Sequence, residues 1–197
     1  FYEPTSGVIA LDGIDYRERS LNFLQSNLGV VLQTSHIFAG TVRENIRYGQ
    51  LSATDETIHA AAEAAGAAPM IEQLDQGYDT KIEEGGASLS SGQKQLIAFT
   101  RALLKDPQIL IMDEATSSVD TLTEKRIEQG LRALLKDRIS IIIAHRLSTI
   151  RHADQICVLD QGQIIEMGRH EDLIAIEGKY HALFMQQSLS NLWQHQS

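Results

Sequence analysis

The sequence predicts an α/β domain with a mostly parallel sheet, and three observations carry that reading. Ile109–Met112 is an apolar run too short for a helix and is bounded by Pro107, and Ile139–Ala144 reads as a second strand. Between these two runs, Glu124–Leu135 places Ile127, Leu131 and Leu134 on one stripe, the pattern of an amphipathic helix. The middle of the chain, from Ser52 to Leu104, is helical in composition. Strands alternating with helices favour parallel pairing with the sheet covered on its faces.

In chain order, Val8–Leu11 and Ile14–Tyr16 flank Asp12-Gly13, which predicts a tight hairpin. Leu28–Gln33 is expected as a short buried strand. Thr41-Val42-Arg43-Glu44 has capping-box spacing and predicts a short helix ending near Gly49. Ser52-Ala53-Thr54-Asp55 precedes an Ala-rich helix stopped near Gly66, and Pro69 opens another that ends near Gly77. A glycine-rich loop over Glu83–Ala87 leads into Leu89-Ser90-Ser91-Gly92-Gln93. After it, Leu96, Phe99 and Leu103 recur at helical spacing, with Ile97 and Leu104 on an adjoining face, so this helix should be buried on most sides. Ile109–Met112 and Ile139–Ala144 are expected as central strands and Ile156–Leu159 as a third. Asp160-Gln161-Gly162 should turn that strand back on Gln163–Met167. Helices near Glu171–Ile176 and Lys179–Gln187 come next, then a polar tail from Ser188.

Composition excludes several classes of function. The 197 residues, 43% hydrophobic and 22% charged, suffice for a proper core. Seventeen basic against twenty-six acidic residues give a net charge of −9, which opposes nucleic-acid binding. Basic residues gather around Lys125-Arg126 and Arg132–Arg138, but Glu124, Glu128 and Asp137 neutralise them. Cys157 is the single cysteine, so an internal disulfide or thiolate cluster is excluded; its apolar neighbours predict a buried position. No apolar stretch approaches the roughly 20 residues that span a bilayer, and no signal peptide opens the chain.

Candidate chemistry gathers in few places. Asp113 and Glu114 follow a buried strand, at the strand end where open α/β sheets collect ligands. They can cap the following helix, or they can hold Mg²⁺ and activate a water. Ser90–Gln93 opens a helix whose free N–H groups and positive dipole end suit an anion; Ser90 can equally be a plain N-cap. His145 and Gln33 each follow an apolar run, as structural residues or as hydrogen-bonding groups at a site. His36, His59, His152, His170, His181 and His195 match no pattern and read as structural or solvent-facing.

The order and spacing of Gln33, Leu89–Gln93, Ile109–Glu114, Ser117-Ser118-Val119-Asp120 and His145 resemble the nucleotide-binding domain of an ATP-binding cassette (ABC) transporter. The segment His36–Gly49 is similar to that of exporters, as is Thr80–Gly86, and the resemblance covers residues 1–187. It implies a P-loop NTPase-like (RecA-like) core with an N-terminal antiparallel piece and an inserted helical subdomain. The core would span about residues 1–33 and 105–187, the subdomain 34–104 and the tail 188–197. It also implies ATP and Mg²⁺ as ligands. Glu114, His145 and Gln33 would be catalytic, with Asp113 and Gln33 at the metal. Ser90, Ser91, Gly92, Gln93 and Asp120 would meet nucleotide or partner across a head-to-tail dimer. Gln33–Gly49, with Phe38, would dock the coupling helices of a transmembrane domain, which places the domain at the cytoplasmic face of a membrane.

Two departures from the family pattern lie near the signature segment: Ser91 and Gly85 stand where glycine and arginine are usual. A larger one is that G-x-x-x-x-G-K-[ST] occurs nowhere in the chain. The resemblance therefore implies an incomplete domain, truncated before Phe1, that hydrolyses no ATP by itself and has a gap in its sheet beside Ile139–Ala144. The alternative is a non-catalytic module that supplies only the Ser90–Gln93 half of a partner's ATP site. Cassette proteins acting on DNA or ribosomes fit less well, given the acidic balance and the exporter-like segment.

Overall fold

The structure, a computed structural model, describes residues 3–113, 121–144 and 147–194. The described residues divide into two compact units, one holding 3–113 and 121–142, the other 143–144 and 147–194.

In the first unit, β1 (Ala10–Leu11) and β2 (Ile14–Asp15) form the expected hairpin. Asp12 and Gly13 both take positive φ, 51° and 74°, the type I′ geometry that matches strand twist. Helix α1 (Leu21–Asn27), which no sequence pattern predicts, follows and is capped by the Ser20 hydroxyl. Strand β3 (Leu28–Val31) is two residues shorter than expected and leaves Gln33 in an exposed bend. It pairs in parallel with β6 (Ile109–Asp113), Val31 opposite Met112. Beyond β6 comes β7 (Ile139–Ile143), which completes a three-stranded sheet in the order β3-β6-β7.

Between β3 and β6 lies the helical portion. A two-residue ladder joins β4 (Gly40–Thr41) to β5 (Lys81–Ile82). Helix α2 (Val42–Arg47) starts at a complete capping box: the Thr41 hydroxyl accepts from Glu44 N and the Glu44 carboxylate accepts from Thr41 N. Helix α3 (Asp55–Ala64) is capped by Thr54, and Gly66 turns the chain with φ 70°. The helix opened by Pro69, α4 (Ala68–Ile71), is a single turn, because Glu72 and Gln73 leave the apolar stripe and a 3₁₀ turn at Gly77–Asp79 takes over.

Helix α5 (Ser91–Lys105) is buried on most sides, as its pattern predicts. Leu96, Ile97, Phe99, Thr100, Ala102 and Leu104 are all buried. It packs on α2, α3, β3 and α6 (Thr121–Leu135), whose Ile127, Leu131 and Leu134 face the core. The buried hydroxyl of Thr100 donates to Leu96 O at 2.8 Å, so the helix interior carries no unmet polar group there.

Two expectations are corrected in the sheet. Among the described residues β7 has a strand neighbour on its β6 side only, so it is an edge strand and not the central strand expected. The next strand, β8 (Ile156–Asp160), belongs to the second unit. It pairs with β9 (Gln163–Gly168) in an antiparallel two-stranded sheet of its own, because its ladder partner is the neighbour across the Asp160-Gln161-Gly162 turn. Val158 is buried against α8 (His170–Ile176) and α9 (Lys179–Gln194), with Leu173, Tyr180 and Phe184. Successive strand residues alternate faces, so Cys157 points away from that core and is exposed, contrary to expectation. Helix α7 (Leu147–Arg151) precedes β8. Helix α9 continues past Gln187 to Gln194, into the segment expected as a polar tail.

Gly130 marks where α6 comes closest to its neighbours. A Cβ there would collide with the Ala65 carbonyl oxygen and come within 3.1 Å of the Phe99 ring. Alanine adds about 1 kcal/mol of helix propensity, but overpacking a filled core costs about 1–3 kcal/mol. We predict that Gly130→Ala destabilises the chain, read as a lower urea midpoint at unchanged slope; a midpoint at or above that of the parent would refute the close packing.

Candidate nucleotide and docking site

Ser90 is the N-cap of α5, extended in backbone, and forms a second capping box. Its hydroxyl oxygen accepts from Gln93 N at 3.2 Å, and Gln93 Oε1 accepts from Ser90 N at 2.8 Å. These bonds use the N–H groups of Ser90 and Gln93. Those of Ser91 and Gly92 have no acceptor within the helix, as the first turn requires, and point to where an anion can sit. Ser91 is the first helical residue and has no positive φ, so serine in place of glycine costs nothing in backbone strain. Gly92 is buried, and Ser90 and Ser91 are exposed. Gly85 and Gly86 precede them with φ 75° and 63°, a conformation an arginine side chain would strain.

The parallel register of β3 and β6 brings a second group together. Val31 and Met112 are opposite, so Asp113 and Gln33 emerge at the same, C-terminal end of two neighbouring strands. A carboxylate and an amide oxygen are the hard donors that Mg²⁺ prefers, and Asp113 is only partly buried, so the pair fits such an ion. Glu114, Asp120 and His145 lie outside the described residues.

The segment from His36 to Gly49 is tied down by two residues that sequence reasoning missed. Asn45, 2% exposed, has a fully used side chain: Oδ1 accepts from Phe38 N at 2.9 Å, and Nδ2 donates to Phe38 O and Thr41 O at 2.9 and 3.0 Å. Arg101, on α5, donates from Nε to Asn45 O, from Nη1 to His36 O, both at 2.9 Å, and from Nη2 to Asn45 Oδ1 at 3.2 Å. Its guanidinium also lies over the rings of Phe38 and Tyr48, 5.3 and 5.7 Å from their centroids. Burial pushes the Arg101 pKa down, though an arginine stays charged in proteins. These bonds join residues 56 and 65 apart in sequence, and no local pattern announces them. Phe38 and Tyr48 stack on each other, centroids 4.6 Å apart, and both are exposed, next to exposed Leu51. Backbone contact joins this segment to the loop before α5, since Gly85 N donates to Ile37 O at 2.9 Å.

The ABC transporter family matches residues 1–117. An uncharacterized ABC transporter ATP-binding protein of Bacillus subtilis, YfiC, is 51% identical over 187 residues, 95% of this chain and 31% of the relative. The ATP-dependent lipid A-core flippase of Desulfotalea psychrophila is 46% identical over 95% of this chain and 33% of its own. A bacterial Atm1-family ABC exporter, solved with ATP bound, superposes with a TM-score of 0.86 at 44% identity, over 94% of this chain and 32% of that one. The chain thus spans about a third of the length of these relatives. With the family matched over more than half of it, and with the signature segment and strand-end carboxylate in place, this chain belongs to the ABC transporter family, in its ATP-binding domain.

Proposed function

We propose that this chain is part of the ATP-hydrolysing domain of an exporter, which closes head to tail on a second such domain and so drives a substrate across a membrane. The observation that supports this reading is the parallel β3–β6 register, which brings the C-terminal ends of both strands to the same end of the sheet, with Asp113 closing β6, Gln33 two residues past β3, and Glu114 next in the chain. Glu114 accepts the proton of the attacking water, Gln33 orients that water, and His145 donates a hydrogen bond to the γ-phosphate. Asp113 and Gln33 would hold Mg²⁺, which would supply neutralisation of the phosphate charge. The N–H groups at Ser91 and Gly92 and the Ser90 hydroxyl receive the γ-phosphate of an ATP held by the second domain, with Gln93 squaring the cap and Asp120 at the dimer contact. The exposed aromatic pair Phe38 and Tyr48 docks the coupling helices of a transmembrane domain, from the cytoplasmic side. Among the described residues no helix is long and apolar enough to cross a membrane.

The same reading accounts for an apolar face left open to water. Val30, Ile139, Ile141 and Ile143, on β3 and β7, are 45–66% exposed. A patch of this kind marks a surface that something covers. In the whole protein the cover would be the phosphate-binding part of the domain, which this chain does not contain as a motif.

Three outcomes test the proposal. In the whole transporter, Glu114→Gln should keep ATP binding and lose hydrolysis by roughly 10²–10⁴-fold, because the amide keeps the shape but not the basic oxygen. Turnover within a few-fold of the parent would remove Glu114 from the reaction and favour the non-catalytic module.

Phe38→Ala should lower transport more than ATP hydrolysis, measured side by side in proteoliposomes. Equal loss of both, with a melting temperature several degrees lower, would make Phe38 a core residue instead.

Calorimetry with Mg²⁺-ATP on the 197-residue chain should find only weak binding. Three missing charge-assisted hydrogen bonds at about 1.5–3 kcal/mol each remove roughly 5–9 kcal/mol. At about 1.4 kcal/mol per decade, that takes a micromolar site to tens of millimolar or beyond. Micromolar binding would show that the phosphates are held elsewhere.

A further inference from the structure

Arg101 is the residue through which the aromatic surface and the signature helix meet. It sits on α5 roughly 15 Å along the axis from Ser91, at 1.5 Å per residue of unbroken helix. Its three hydrogen bonds reach both sides of the segment, to His36 before Phe38 and to Asn45 after it. Asn45 in turn clamps both the N–H and the carbonyl of Phe38. The rings of Phe38 and Tyr48 rest on the guanidinium itself. Gly49, at the end of α2, comes so close that a Cβ there would strike the Arg101 carbonyl oxygen, so backbone packs directly on backbone. Among the described residues no carboxylate is within ion-pair distance of Arg101; its charge is met by carbonyl oxygens and aromatic faces. A planar fork that satisfies three acceptors while stacking on two rings is a geometry that lysine does not reproduce.

We propose that Arg101 is a positioning residue that locks the Phe38–Tyr48 surface to α5, so that a ligand engaged at Ser90–Gln93 and a membrane domain docked on the aromatic pair act on one rigid body. This rests on the functional reading above. Helix α5 carries a displacement of its N-terminus to Arg101, and the guanidinium passes it to the segment at His36, Asn45 and both rings. Coupling here is mechanical, through one side chain, and needs no change in the chemistry at the strand ends.

The test is hydrogen–deuterium exchange on the complete transporter in lipid nanodiscs, with and without Mg²⁺-ATP and orthovanadate. In the parent protein, nucleotide should slow exchange over residues 91–105 and over 36–49, with the same half-saturating ATP concentration. In R101M, slowing over 91–105 should persist while that over 36–49 falls by about ten-fold or more, within the ordinary range of coupling between sites. R101K keeps the charge without the fork and should show a smaller loss in the same direction. A nucleotide response over 36–49 that survives intact in both variants overturns the positioning role alone. Should R101M not assemble, R101K and the parent titration decide, and two segments responding at different ATP concentrations overturn it equally. No response over 91–105 in the parent protein would overturn the ATP-site reading, and the coupling with it.

Discussion

Burial of α5 on nearly all sides is the constraint from which the first unit is built. Leu96, Ile97 and Phe99 are each at most 1% exposed, and side chains of that size contribute about 1.5–3 kcal/mol apiece when taken fully out of water. A helix so enclosed leaves little tolerance for unpaired polar groups, and its buried Thr100 and part-buried Arg101 are both answered. Thr100 bonds back to its own helix, and Arg101 finds three oxygens. At its far end Lys105 donates to Gln25 O and Leu28 O, at 2.7 and 2.8 Å, which ties the helix to α1 and β3. The helix that begins at the signature segment therefore ends on the strand that leads to Gln33. Packing places the two candidate chemistries on a common frame before any ligand arrives.

What was legible in the sequence is what short-range chemistry determines. Asp12-Gly13 supports only the turn that was found, since both residues need positive φ. The pairs Thr41/Glu44 and Ser90/Gln93 each form reciprocal capping boxes because three-residue spacing brings side chain and backbone together. Asp113 and Gln33 were legible as strand-end residues, although only the parallel β3–β6 register brings the two strand ends to the same end of the sheet. What was not legible depends on residues far apart. The β4–β5 ladder is two residues long on each side, below the length at which alternation can be read. Cys157 looked buried because its neighbours are apolar, and the strand's free face was decided by which partner it took. Asn45 and Arg101 lie in ordinary helical stretches, and their roles exist only once the helices cross.

The choice of partners for Arg101 has a consequence for how a coupling joint must work. An arginine held by a carboxylate would form a pair that salt weakens at the surface and that costs several kcal/mol per ion to desolvate when buried. Carbonyl oxygens and ring faces carry no net charge, so the joint is insensitive to ionic strength and to pH over the range in which proteins fold. Burial pushes the Arg101 pKa down, and the carbonyl dipoles pointing at the guanidinium oppose that desolvation. Three acceptors held by two different stretches of backbone make the contact directional, since a sideways shift of the segment by an ångström would break more than one bond at once. A joint with that property transmits displacement instead of absorbing it. That is the physical requirement on any residue linking a nucleotide site to a distant docking surface.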